Sequence, residues 1–106
     1  MATELEKFKE VVMATKKPVF AMVSASWCNP CKLIKPEFKA KSDTEKDNAT
    51  FILIDADESP DLCSEFNVTA IPTVLVFKRS IPEVADVFSG SNVDNFNKFI
   101  KKHLSD

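Results

Sequence analysis

The sequence predicts an α/β fold with a mixed central sheet and helices on both of its faces. Apolar runs of strand length alternate with segments whose apolar residues recur every three or four positions. The runs are almost uninterrupted, which is typical of strands buried on both faces. Strand–helix–strand connections favour parallel pairing, and the short link between the last two strands predicts a hairpin. The length suits one domain, expected over residues 1–106.

The first half of the chain is predicted to contain two helices and two strands. Thr3-Glu4-Leu5-Glu6 has the form of a capping box, which predicts where the first helix begins. Cys31, Ile34 and Phe38 share one side of the second helix, and Pro36 is expected to kink it. The predicted elements are a helix over residues 4–15, a strand over 19–23, a helix from Cys31, a charged surface connection over 41–49 and a buried strand over 51–54.

The second half is predicted to contain two more strands between two helices. Ser59 and Pro60 have the residue types of an N-cap and first helical position, and Asn67 can end that short helix in the left-handed conformation. Ser91 is expected to cap the last helix. The strands are expected over 73–77 and 84–88, with a turn over 78–82 between them, and the inner face of the last helix over Val93, Phe96, Ile100 and Leu104.

Charge and composition argue against several classes of function. The net charge is −2 and lysines are mixed with acids, so no basic surface for nucleic acid is expected. No segment approaches the roughly 20 apolar residues of a membrane span. The chain begins with polar and acidic residues, unlike a signal peptide. We therefore expect a cytoplasmic protein.

The motif Trp27-Cys28-Asn29-Pro30-Cys31 is the most informative feature. It follows the first predicted strand and opens the second predicted helix. A sulfur at a helix N-terminus is favoured as the thiolate by unpaired N–H groups and by the helix dipole. Cys31 lies one turn further on and is expected to point inward, where it can attack a mixed disulfide at Cys28. The spacing predicts a dithiol redox centre in a reducing compartment.

Zinc binding is the alternative for the two cysteines. A structural zinc site needs four ligands, and beyond Cys28 and Cys31 only Cys63 and His103 remain. Cys63 is expected to be a buried, inert thiol, with regulatory oxidation or dimerisation as its alternative. His103 is expected on a polar face without a functional role. The acids of segment 55–61 are interpreted as a solvated loop at a helix N-terminus rather than a metal site.

Several landmarks resemble the thioredoxin family, and the resemblance covers nearly the whole chain. Residues 27–32 match the family's Trp-Cys-Gly-Pro-Cys-Lys except at Asn29. Pro36 matches the family's kinking proline, and Gly90, the only glycine, matches a glycine near the last helix. Ile71-Pro72-Thr73 matches the family's Ile-Pro-Thr, whose proline is cis and faces the redox cysteines. Without this resemblance a trans bond would be the default.

The sequence also departs from the family pattern. Asn29 replaces a glycine, and Met22 stands where the family has a buried aspartate. Leu53 stands where the family often has a charged residue near that acid. The capping box at Thr3 leaves no room for the family's first strand. We therefore expect four strands, with the strand that starts at Phe51 near an edge of the sheet.

The resemblance implies a protein-disulfide reductase in which Cys28 is the nucleophile and Cys31 resolves the mixed disulfide. The alternatives are a disulfide oxidant or isomerase and a non-catalytic interaction module. Pro30 argues against the first, because oxidising relatives usually carry histidine there. Intact cysteines argue against the second. The residues assigned to redox tuning and the substrate groove are Trp27, Asn29, Pro30, Lys32, Ile71, Pro72 and Gly90.

The resemblance further implies how such a protein is used. No cofactor is expected to be bound, since the redox group is the Cys28–Cys31 disulfide itself. The expected partners are a flavin- and NADPH-dependent thioredoxin reductase and client proteins such as peroxiredoxins or ribonucleotide reductase. The chain is expected to be a monomer.

Overall fold

The computed structural model of the chain describes residues 3–105. Its elements follow the predicted order α-β-α-β-α-β-β-α. They are α1 (Glu4–Ala14), β1 (Val19–Ser24), α2 (Cys31–Thr44), β2 (Thr50–Asp55), α3 (Pro60–Glu65), β3 (Thr73–Phe77), β4 (Asp86–Ser89) and α4 (Val93–Leu104). Within residues 3–105, no helix combines the length and apolar character that crossing a bilayer would require.

The four strands form one mixed sheet in the order β2-β1-β3-β4. β1 is parallel to β2 and antiparallel to β3, and β3 and β4 form the predicted hairpin. The expected four-stranded sheet with β2 at an edge is confirmed. Parallel pairing across the β2–α3–β3 connection is wrong, because β3 joins the other side of β1. All five residues of β3 are buried, whereas β2 is partly exposed. The more apolar environment of β3 agrees with its position inside the sheet, between β1 and β4.

Alternation along β1 divides the core between the two faces of the sheet. Phe20 and Met22 pack in a cluster with residues of α2 and α4, and Ala21 and Val23 pack in a second cluster with residues of α1 and α3. Every residue of β1 is buried. Helices on both faces therefore explain the uninterrupted apolar run.

Most of the predicted helix ends in the first two thirds of the chain are observed. Thr3 Oγ1 accepts a 3.0 Å hydrogen bond from the backbone N–H of Glu6, and the Glu6 side chain accepts from the Thr3 N–H, so the capping box is confirmed. Asn67 has a φ of 55°, the predicted left-handed conformation. Ser59 and Pro60 occupy the predicted positions of α3, although the Ser59 side chain makes no capping hydrogen bond. The kink at Pro36, inside α2, stays a prediction.

Two predicted segments between β1 and α3 need correction. Residues 41–44 continue α2, and Ala49 is buried, so the surface connection is shorter than 41–49. Lysines and acids are compatible with an exposed helical turn as well as with a loop, and charge alone did not distinguish them. β2 is only partly buried, because it has a neighbouring strand on one side only.

The boundaries near the C-terminus also differ from the predicted ones. β4 covers Asp86–Ser89 rather than 84–88. Asn92, not Ser91, caps α4, since its side chain accepts a 2.9 Å hydrogen bond from the backbone N–H of Asn95. Both residue types suit an N-cap, so the sequence alone favoured neither.

His103 is buried, contrary to the expected polar face. It is 4% exposed, its Nε2 donates a 2.8 Å hydrogen bond to Asp86 Oδ2, and its ring packs edge-on against Phe99. Residue 103 lies seven positions after Phe96, on the same helical face. The seven-residue spacing therefore indicates that His103 is buried, whereas its polar residue type suggested an exposed position.

Candidate active site

The Cys28–Cys31 disulfide lies where β1 passes into α2. The two Cα atoms are 5.4 Å apart. Between the two elements the chain turns tightly, and the backbone N–H of Cys28 donates to the carbonyl of Ala25 at 3.1 Å. Pro30 is at the N-cap with a φ of −59°, and α2 begins at Cys31. The predicted position of the dithiol at a helix N-terminus is confirmed.

The backbone favours negative charge on the first sulfur. The N–H of Cys31 donates a 3.2 Å hydrogen bond to Cys28 Sγ. A donor aimed at a sulfur stabilises the thiolate more than the thiol. In this oxidised form Cys28 is 4% exposed and Cys31 is 2% exposed. Cys28 is therefore almost fully buried rather than partly exposed. A client has to dock closely to reach its sulfur.

Trp27, directly before the first cysteine, is exposed to solvent. Its side chain is 65% exposed, and its Nε1 donates a 2.8 Å hydrogen bond to Asp57 Oδ2. Asp57 follows β2, and its own N–H donates to Asp55 Oδ1 at 2.8 Å. Asp57 was expected in a solvated loop, so its hydrogen bond to Trp27 was not predicted from the sequence. The contact joins residues 30 positions apart, and no local pattern indicates it.

The loop before β3 provides a second wall. The peptide bond between Ile71 and Pro72 is cis, as the resemblance implied. Ile71 is partly buried and packs against both core clusters. The carbonyl of Pro72 accepts a 3.2 Å hydrogen bond from the N–H of Gly90, which has a φ of +121°. That backbone conformation favours glycine, so the hydrogen bond ties a required glycine to the proline loop.

A surface cavity of about 510 Å³ extends from Trp27 to Ile71. Cys63 lies in its wall and is partly rather than fully buried. Desolvation raises the pKa of the Cys63 thiol, and the nearby charge of Asp61 raises it further. A thiol with a raised pKa carries little thiolate at neutral pH and reacts slowly, as expected for Cys63. The cavity lining is Trp27, Ala56, Pro60, Cys63, Val68, Thr69, Ala70 and Ile71.

The remaining predicted site residues differ in their exposure to solvent. Asn29 and Lys32 are exposed, and the N–H of Lys32 donates to the carbonyl of Asn29 at 3.0 Å. Met22 is fully buried in the cluster that contains both cysteines. Leu53 is its partner in the β1–β2 register and is 42% exposed.

The buried surroundings of the dithiol hold no acid. In the described part of the chain the buried polar residues are Ser24, Ser59, Thr73 and His103, none of them a carboxylate. Nor do any three histidine, cysteine, aspartate or glutamate side chains among residues 3–105 come together as metal ligands. The site can therefore be described by its two sulfurs, one backbone donor and an apolar wall.

Comparison with known proteins gives the same family throughout. The thioredoxin family model matches residues 1–102. Thioredoxin Asp f 29 of Aspergillus fumigatus is 38% identical over 106 residues, covering 97% of this chain and 93% of its own. The structure of the Malassezia sympodialis thioredoxin Mala s 13 superposes with a TM-score of 0.83 at 32% identity, covering 92% of this chain and 86% of its own.

A further solved chain comes from work on the resolution of a yeast mitochondrial 1-Cys peroxiredoxin by the glutathione and thioredoxin systems. It superposes with a TM-score of 0.83 at 28% identity, covering 95% of this chain and 92% of its own. Family model, sequence relatives, fold and paired cysteines agree on a redox-active disulfide. The chain belongs to the thioredoxin family and is a dithiol–disulfide oxidoreductase that reduces protein disulfides.

Proposed function

We propose that Cys28 is the attacking nucleophile of this reductase and that Cys31 is the resolving thiol. The observation that carries the assignment is the hydrogen bond from the Cys31 N–H to Cys28 Sγ. It favours the thiolate at Cys28 once the disulfide is reduced. Both cysteines are buried, but Cys31 lies within the first turn of α2 whereas Cys28 precedes the helix, so an incoming client disulfide is expected to meet Cys28 first.

Two exchange steps complete the reaction. The Cys28 thiolate attacks one sulfur of the client disulfide, and the other client sulfur leaves as a thiolate that takes up a proton. Cys31 then loses its proton and attacks Cys28 Sγ, which releases the second client sulfur and forms the Cys28–Cys31 disulfide. The client gains two electrons and the two cysteines lose them.

The cavity between Trp27 and Ile71 is the proposed docking surface for the client. Within residues 3–105, the N–H and carbonyl of Ile71 have no backbone hydrogen-bond partner. An extended client segment can pair with these groups in the manner of an added strand. The exposed Trp27 ring, held by Asp57, supplies apolar contact beside the disulfide.

The oxidised protein has to be reduced again by a partner. We assign this step to an NADPH-dependent thioredoxin reductase, which supplies the two electrons, so that the chain acts as an electron carrier in a reducing cytoplasm. The family needs no bound cofactor. Peroxiredoxins are proposed as clients, because a close structural neighbour was studied with one. Ribonucleotide reductase is proposed on the family resemblance alone.

Reduction of insulin disulfides tests this function. With NADPH and a thioredoxin reductase, the protein should turn over many equivalents of insulin, and Cys28→Ser should abolish turnover. Without the reductase, each molecule of the reduced protein should reduce only one insulin disulfide. Failure to turn over with several reductases, combined with efficient oxidation of a reduced client, would instead identify an oxidant. No reaction in either direction would identify an interaction module.

A further inference from the structure

The open edge of β2 presents unpaired backbone groups to solvent. Among residues 3–105, β2 is the last strand of the sheet and has β1 on one side only. The N–H of Thr50 donates to the carbonyl of Pro18 and the N–H of Ala56 to that of Ser24, each at 2.9 Å. In a parallel ladder alternate residues direct their backbone groups to the same neighbour. The N–H and carbonyl groups of Phe51 and Leu53 therefore point away from the sheet.

The β2 edge lacks the features that normally prevent edge strands from pairing. Such strands usually carry lysine, proline or a bulge, or are very short. β2 has six residues, Thr-Phe-Ile-Leu-Ile-Asp, with no lysine, proline or glycine. The opposite edge strand, β4, has four residues and contains Asp86, whose carboxylate is hydrogen-bonded to His103. Of the two edges, β2 is the one suited to pairing.

Grooves flank the β2 edge on both faces of the sheet. Between β2 and α1 lies a cavity of about 280 Å³, lined in part by Val11, Ile52 and Leu53. Between β2 and α2 lies one of about 310 Å³, lined in part by Phe51 and Leu53. Val11 is 45% exposed and Leu53 is 42% exposed. A strand added at this edge would place alternate side chains beside the apolar residues of the two grooves. The groove beside α1 also has charged residues in its wall, namely Glu4, Lys7, Asp55 and Glu58.

We propose, in place of the monomer that the family resemblance implies, that the occupant is a second copy of this chain, paired antiparallel with β2 about a twofold axis that passes between the two Ile52 residues. This register places Phe51 of each copy opposite Leu53 of the other, so that the outward backbone groups of both residues exchange hydrogen bonds. It pairs apolar side chains with apolar side chains and keeps Asp55 of one copy away from Asp55 of the other. The two sheets join into one of eight strands.

Charge distribution in the groove beside α2 favours a second copy over a highly charged partner. The charged residues that line it are one base and one acid, Lys39 and Asp43. A copy that runs antiparallel reverses the order of these two charges, so Lys39 of one chain can face Asp43 of the other. Long-lived interfaces bury about 1,200–2,000 Å². One paired strand with its grooves is near the low end, so we expect a reversible dimer.

Sedimentation velocity over a concentration series tests the dimer. The buffer contains a reductant, so that disulfide-linked species are removed. We expect the mass to rise toward twice that of one chain. Leu53→Lys should raise the dimer Kd more than about 100-fold, because each lysine would bury a charge against Phe51 of the other copy. Val87→Lys is the matched control: Val87 is 47% exposed on β4, the other edge strand, and its variant should dimerise like the parent.

Amide hydrogen exchange of the parent protein gives a test that needs no variant. When about nine-tenths of the chain is dimeric, exchange at Phe51 and Leu53 should slow about tenfold, while that at Ile52 and Ile54, bonded to β1, should not change. A parent that stays monomeric to roughly 1 mM, or exchange that does not alternate, would overturn the proposal. So would equal dimerisation of Leu53→Lys, or a monomer whose β2 edge binds only an unrelated extended peptide.

Discussion

At the scale of single residues, Met22 is expected to affect how the resolving thiol loses its proton. Met22 is fully buried in the cluster that contains Cys28 and Cys31, and no carboxylate is buried among residues 3–105. A thioether cannot accept the proton of Cys31, so water or hydroxide has to. We therefore expect resolution of mixed disulfides to be slow near neutral pH and to speed up as the pH rises.

Substitution Met22→Asp tests this account. A buried carboxyl group should lower the free energy of unfolding by about 3 kcal/mol or more. By supplying a base it should raise the single-turnover resolution rate at pH 7 by about tenfold or more. Met22→Asn is the control, since it is equally polar but cannot take the proton, and it should destabilise without acceleration. An aspartate variant that is more stable and resolves no faster would contradict the account.

Asp57 is expected to hold the client-facing ring in place. Asp57→Ala removes the acceptor of the 2.8 Å hydrogen bond from Trp27 Nε1. Loss of one such bond corresponds to about 0.5–1.5 kcal/mol, so kcat/KM for insulin should fall roughly twofold to tenfold. Asp57→Asn keeps an acceptor oxygen and should be milder. Trp27 is the only tryptophan, so faster quenching of its fluorescence reports the freed ring directly. Unchanged quenching with Asp57→Ala would refute the contact.

At the scale of elements, a buried histidine on α4 pairs with a partly exposed aspartate on β4. His103 donates to Asp86 at 2.8 Å, and Lys102 Nζ lies 3.6 Å from the same carboxylate oxygen. The hydrogen bond from His103 is the main reason that the pKa of Asp86 lies below its ordinary value. A depressed carboxyl pKa stabilises the fold above the unfolded-state pKa of about 4 and stops doing so as the pH falls through the folded-state value.

Asp86→Asn should remove this part of the pH dependence. Urea midpoints measured from pH 7 down to pH 2 should fall less steeply with pH, below about pH 4, in the variant than in the parent. The amide oxygen can still accept from His103, so the loss at pH 7 should be within about 1 kcal/mol. Parallel curves for the two proteins in acid would show that Asp86 carries no such linkage.

Most elements could be predicted because their apolar spacing is regular. β1 and β3 are continuous apolar runs, and the capping box of α1 satisfies its own backbone groups locally. Two boundary errors occurred where the residue types suit two local solutions. The chain could cap α4 with Ser91 or Asn92, and residues 41–44 could form loop or helix. Tertiary packing decided both.

At the scale of the whole molecule, the site is assembled from three distant segments. The dithiol motif and the Ile71–Pro72 pair could be identified from the sequence, because each has a characteristic order of residues. The contact between Trp27 and Asp57 could not, since it depends on how the loop after β2 lies beside the loop after β1. The pairing of β3 with β1 is likewise a property of the complete sheet.

Trapping of a client on the Cys31→Ser variant tests the central assignment most directly. Without the resolving thiol, the mixed disulfide formed in the first exchange step cannot be released and should accumulate. Cys31→Ser combined with Cys63→Ser is the control and should trap equally well. Peptide mapping of the trapped species should find the client joined to Cys28. A client joined to Cys63, with Cys28 left free, would contradict the assignment.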